Sequence, residues 1–118
     1  MNPSRGEALR RIDTEIAGEK AAALGRAGER LEQALTEACG AAARVLAARG
    51  DEERARLARD YALVRRRAVE ARQALLIQRE AVGLRRHATV GQQFPEPLTV
   101  DDLLRRNVHA DGPLSGAP

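Results

Sequence analysis

Arg49-Gly50-Asp51-Glu52-Glu53 interrupts an otherwise helix-forming chain near its middle. A glycine just past one helix end and an aspartate at the N-cap of the next form a stop followed by a start. Glu52 and Glu53 then fall in the first turn, where the helix dipole favours negative charge. So short a break between two long helical patterns makes the helices fold back antiparallel. Gly40 is a second candidate for the turn, and an uninterrupted helix is a third arrangement.

Toward the N-terminus, the pattern predicts a helix over 5–48. Ser4 followed by Glu7 has the form of a capping box. Leu9, Ile12, Ile16, Leu24, Leu31, Leu35, Ala38, Ala42 and Val45 then recur at three, four or seven, the spacing of one helical face. Toward the C-terminus, a second helix is predicted over 52–87. Leu57, Tyr61, Val64, Ala68, Ala71, Leu75, Gln78 and Val82 alternate by four and three, as in a coiled-coil seam. Gln78 is its one polar member, a candidate for fixing register or partner number. Beyond His87 the pattern fails. Residues 91–98, which contain Pro95 and Pro97, read as an extended linker. Thr99 with Asp102 and Leu98 with Leu103 predict a short helix over 99–107, and residues 108–118 read as a disordered tail.

The fold class is therefore all-α: an antiparallel two-helix hairpin spanning 1–90 with a short C-terminal helix. Tyr61 and Phe94 are the only aromatic residues. Burying one large side chain stabilises by about 1.5–3 kcal/mol, so a seam this rich in alanine is thin for a monomer. A homodimer completing a four-helix arrangement would supply the missing surface. Cys39 is the single cysteine, which excludes an internal disulfide, and it reads as a small buried residue of the first helix. There is no signal-peptide pattern and no membrane-length apolar run, so the expectation is a cytoplasmic protein without membrane contact.

If the turn centres on Gly50-Asp51, Gly25 and Gly28 lie near the height of Leu75, Leu76 and Ile77. Each glycine costs about 1 kcal/mol inside a helix, which suggests a packing joint in which these small residues receive large ones. The two segments that meet there, Glu19-Lys20-Ala21-Ala22-Ala23-Leu24-Gly25-Arg26-Ala27-Gly28 and Gln78-Arg79-Glu80-Ala81-Val82-Gly83-Leu84-Arg85-Arg86-His87, resemble recurrent segments of a small uncharacterised bacterial all-helical family. The resemblance covers about half the chain and implies a helical fold, with no known activity. This chain departs from the family pattern at Leu75 to Ile77, where aromatic residues precede the Gln-Arg-Glu, and at Arg86, where the family has an acidic residue.

Charge is unevenly placed. Residues 54–86 hold ten basic groups against three acidic ones, whereas residues 1–53 and 87–118 are each about −2, giving +3 in all. Within the basic segment Arg65, Arg72, Arg79 and Arg86 recur every seven residues, and none has an acidic residue three or four positions away. The favoured reading is structural: Glu37, Glu29 and Glu15 lie roughly level with Arg65, Arg72 and Arg86 across the hairpin, while Arg79 has no level partner. The others are contact with an acidic protein and, less favoured, phosphate binding on a nucleic acid. Scarce aromatics and the lack of a helix-turn-helix or zinc pattern weigh against the last.

Glu80 and His87 are the one conceivable acid–base pair. Seven residues within one helix separate them by roughly 10 Å, too far for a hydrogen bond. No catalytic residue, metal ligand or cofactor is assigned. The sequence reads as a non-enzymatic helical interaction or assembly module, self-associating, with Arg65, Arg72, Arg79, Arg86, Gln78 and His87 as candidate contact residues.

Overall fold

The computed structural model describes residues 4–106, so the predicted tail at 108–118 lies outside the described residues. Helix α1 spans Arg5–Leu46 and α2 spans Asp51–Ala81, packed side by side as an antiparallel hairpin. Ser4 begins α1 as the sequence predicts, its hydroxyl accepting the Glu7 amide at 3.2 Å. Gly40 lies within α1, which excludes it as the turn.

The turn is at the predicted stretch but differs in its caps. Gly50, not Asp51, stands at the N-cap, with φ +90°, a conformation that glycine alone adopts without strain. Asp51 is the first helical residue, and its carboxylate pairs with Arg54 at 3.2 Å. Glu53 Oε2 accepts the Arg49 amide at 2.7 Å, and Arg54 donates to the Ala48 carbonyl at 3.2 Å. The acidic first turn thus closes the loop by hydrogen bonding as well as by opposing the dipole.

Helix α2 stops at Ala81, six residues before the predicted end at His87. The Leu84 amide donates to the Arg79 carbonyl at 2.8 Å and the Gly83 amide to that of Glu80 at 3.0 Å. This is a Schellman cap, and it requires the positive φ (+89°) found at Gly83. A Gly83→Val substitution is expected to lose about 1–2 kcal/mol, because a β-branched residue is strained there. Urea unfolding followed by circular dichroism measures the loss.

The chain then reverses and runs back along the hairpin. Helix α3, Ala88–Gln93, occupies ground read from the sequence as the last residues of the hairpin segment, past the end of its second helix, and the start of the linker. Residues 94–99 are extended, and α4 covers residues 100–106, within the 99–107 predicted. Its start is capped as expected, Thr99 Oγ1 accepting the Asp102 amide at 3.2 Å.

The returning segment makes the core three-sided. Near the turn, Ala38, Ala41 and Val45 of α1 and Ala58, Tyr61 and Ala68 of α2 close around Leu103 of α4, with Val100 and Leu104 at the edge. Toward the other end, Ala27 and Leu31 meet Leu75 and Val90, flanked by Leu24, Leu76 and Phe94. Alanine seams let α1 and α2 approach closely, and the large side chains of the returning segment fill the groove beside them. The predicted α2 seam is buried or half-buried throughout, from Leu57 to Val82.

Helix α1, 42 residues against 31 in α2, outlasts its partner. Its residues 5–22 are exposed, including Leu9, Ile12 and Ile16, which belong to the predicted apolar stripe.

Candidate functional site

The arginine stripe faces the returning segment. Arg65 Nε donates to the carbonyls of Leu98 at 3.0 Å and Pro97 at 3.1 Å, and its Nη2 lies 3.8 Å from Glu96. Arg72 Nε donates to the Phe94 carbonyl at 3.3 Å. Arg79 Nη2 donates to the Arg86 carbonyl at 2.8 Å, and its Nε approaches His87 Nδ1 at 3.5 Å. The fourth member, Arg86, is exposed and takes part through its backbone oxygen.

The spacing explains the register. Seven helical residues advance about 10.5 Å. From Phe94 to Leu98 the chain is extended and covers roughly 13 Å, and from His87 to Phe94 it is largely α3, compact enough for the same step. At every second turn of α2 an arginine therefore meets the backbone that follows the helix, Arg65 at two adjacent carbonyls and Arg72 and Arg79 at one each. Pro95 and Pro97 favour the extended form and leave carbonyls with no helical partner, so the guanidinium groups supply the donors these oxygens need. Tyr61 adds a further bond, its hydroxyl donating to the Leu98 carbonyl at 2.6 Å.

The expected partners of the stripe are corrected accordingly. Among the described residues no ion pair joins Glu37, Glu29 or Glu15 to Arg65, Arg72 or Arg86. The stripe is turned toward the third element of the fold, away from these glutamates on α1. Arg79, without an evident partner in the sequence, is bonded to the loop after α2.

The same reversal overturns the distance argument for Glu80 and His87. Because α2 ends before His87, the ring returns beside the last turn and His87 Nε2 lies 3.1 Å from Glu80 Oε1. Arginine can only donate, so the approach of Arg79 makes Nδ1 the acceptor and assigns the ring proton to Nε2, which donates to Glu80. Both ring nitrogens are thereby engaged. Gln78 is half-buried, and its carbonyl accepts the Val82 amide of the helix cap at 3.3 Å.

The packing joint has a different composition from the one predicted. Leu75 is buried and Leu76 half-buried, but Ile77 is 56% exposed. Leu75 and Leu76 are received by Ala27, Leu31, Leu24, Val90 and Phe94. A Cβ added at Gly25 or Gly28 would meet nothing within 4 Å, so neither glycine is required for close approach within the chain. Gly25 lies two residues from Ala27, about 200° around the helix, and so points away from the joint. Cys39, expected to be buried, is exposed beside the groove between α1 and the returning segment.

Among the described residues no group of His, Cys, Asp and Glu has the makings of a metal site, and no helix is long and apolar enough to cross a membrane. Comparison with protein-family models, with curated proteins and with solved structures gives no match.

Proposed function

We propose that the chain is a non-enzymatic helical interaction module, and that its contact surface is the free N-terminal part of α1. The observation that carries this reading is the exposure of Leu9, Ile12 and Ile16, at 56, 50 and 44%, on one side of a helix that, among the described residues, has no partner along that length. Three large aliphatic side chains at spacings of three and four form a stripe of the kind another helix covers. The polar groups support the same reading. His87 has both ring nitrogens engaged within the chain, and three of the four stripe arginines direct donors at backbone carbonyls, which leaves phosphate contact with less to draw on than the sequence suggested.

A photo-crosslinking amino acid at Ile12, introduced in the producing cell, tests this. An adduct of higher mass is expected from Ile12 and not from Thr14, about 200° round the helix. No adduct at Ile12, or equal adducts at both positions, overturns the reading.

A further inference from the structure

We propose that the occupant of this surface is a second copy of the chain, docked antiparallel, with Leu9 of each copy against Ile16 of the other; this rests on the interaction reading above. Three features of α1 share one midpoint. The free length runs from Arg5, where the helix begins, to about Lys20, beside which α2 ends with Ala81 and Val82, so its centre falls between Ile12 and Asp13. The exposed aliphatic stripe runs from Leu9 to Ile16, and its centre falls at the same place. The charge also inverts there: Arg5, Arg10 and Arg11 against Glu7 make residues 5–12 net +2, and Asp13, Glu15 and Glu19 against Lys20 make residues 13–20 net −2.

A two-fold axis through that midpoint satisfies all three at once. It lays each basic half over the partner's acidic half and brings Arg10 level with Glu15 of the other copy, twice by symmetry. A parallel pair would set like charge on like charge along the whole free length. The lengths fit as well. Arg5 of one copy would lie level with Lys20 of the other, so the partner helix would fill the space that α2 leaves and stop where α2 stops. There the C-terminal end of α2 would meet the N-terminal end of the partner's α1, opposite poles of two helix dipoles.

The apolar face is continuous with the one already used. Leu9 and Ile16 stand above Ala27 and Ala34 of the core, and both offsets, 9 to 27 and 16 to 34, are five turns at roughly 3.6 residues per turn. The described chain ends at residue 106 on α4, whose Leu103 packs near the interhelical turn, at the opposite end of the hairpin from this surface.

The test uses the full chain with Cys39→Ser, so that introduced cysteines are the only thiols. Light scattering is expected to give twice the chain mass, and Ile12→Glu to weaken association roughly a hundredfold or more with helical content retained. Leu9→Cys and Ile16→Cys chains, mixed and oxidised, are expected to form the mixed disulfide in preference to either self-disulfide. A monomeric mass overturns the inference, as does self-disulfide formation by Leu9→Cys equal to the mixed product. If the chain is monomeric yet Ile12 crosslinks to a different protein, self-recognition fails and the interaction reading stands. A monomer without any adduct removes both.

Discussion

A chain that ends at Gly83 is expected to lose its cooperative thermal transition, although both long helices are retained. The returning segment contributes Val90 and Leu103 as buried side chains and Phe94, Val100 and Leu104 as half-buried ones. At about 1.5–3 kcal/mol per fully buried aliphatic residue, this apolar burial alone is comparable with the net stability of a small domain. The segment also covers one side of Tyr61 and Leu75, which would otherwise be wetted. An alanine-lined hairpin without its third side has few large side chains in contact, and helices without tertiary packing are marginal in water. Circular dichroism at 222 nm on heating is expected to show a broad, shallow decline for the truncated chain and a sigmoidal one for the full chain. A sigmoidal melt of the truncated chain within a few degrees of the full one would show the segment to be a passenger.

This dependence also explains which parts of the fold were legible in the sequence. The seam from Leu57 to Val82 is a periodic signal carried by side-chain type, and it places α2 correctly along the hairpin. Ser4 and Thr99 are local hydrogen-bonding signals, and both act as caps. Gly83 carries a stop signal too, but Arg85, Arg86 and His87 continue a plausible basic helix end, and the predicted helix runs through it. With α2 predicted six residues too long, the chain reversal is lost, and with it the Glu80–His87 contact.

The arginine stripe was legible as a pattern and misread as to partner, for a physical reason. Its acceptors are backbone carbonyls, which every residue possesses, so nothing in the sequence marks them except Pro95 and Pro97, which hold the segment extended. Searching for carboxylates finds Glu37, Glu29 and Glu15, and these are on the wrong element. Leu9, Ile12 and Ile16 illustrate the converse. Periodicity alone does not separate a stripe covered by its own chain from one left bare; the length difference between α1 and α2 does.

Tyr61 joins the two halves of this argument, and its substitutions separate them. The residue is 2% exposed, packed among Ala38, Ala41, Ala58 and Leu103, with its hydroxyl bonded to the returning segment at Leu98. Tyr61→Ala is expected to destabilise the chain by about 3–5 kcal/mol, because the alanines around it cannot collapse into the space of the lost ring. Tyr61→Phe keeps the ring and removes the hydroxyl; the Leu98 carbonyl retains Arg65 as a donor, so the loss should be near 0.5–1.5 kcal/mol. Urea denaturation of the two variants checks both values, and equal losses would place the energy in the hydrogen bond and not in the ring. Alkaline titration adds a third reading. Burial raises the pKa of Tyr61 above its ordinary 10.0, with Arg65 opposing the rise and Cys39 adding to it. The unfolded chain therefore releases this proton first as pH increases, and the folded chain holds it longer. The contribution of Tyr61 is complete below pH 10 and is lost as pH climbs from there through the raised value. The wild-type melting temperature should fall more steeply than that of Tyr61→Phe above pH 10, and parallel curves would mean that the hydroxyl titrates in the folded state as it does in the unfolded chain.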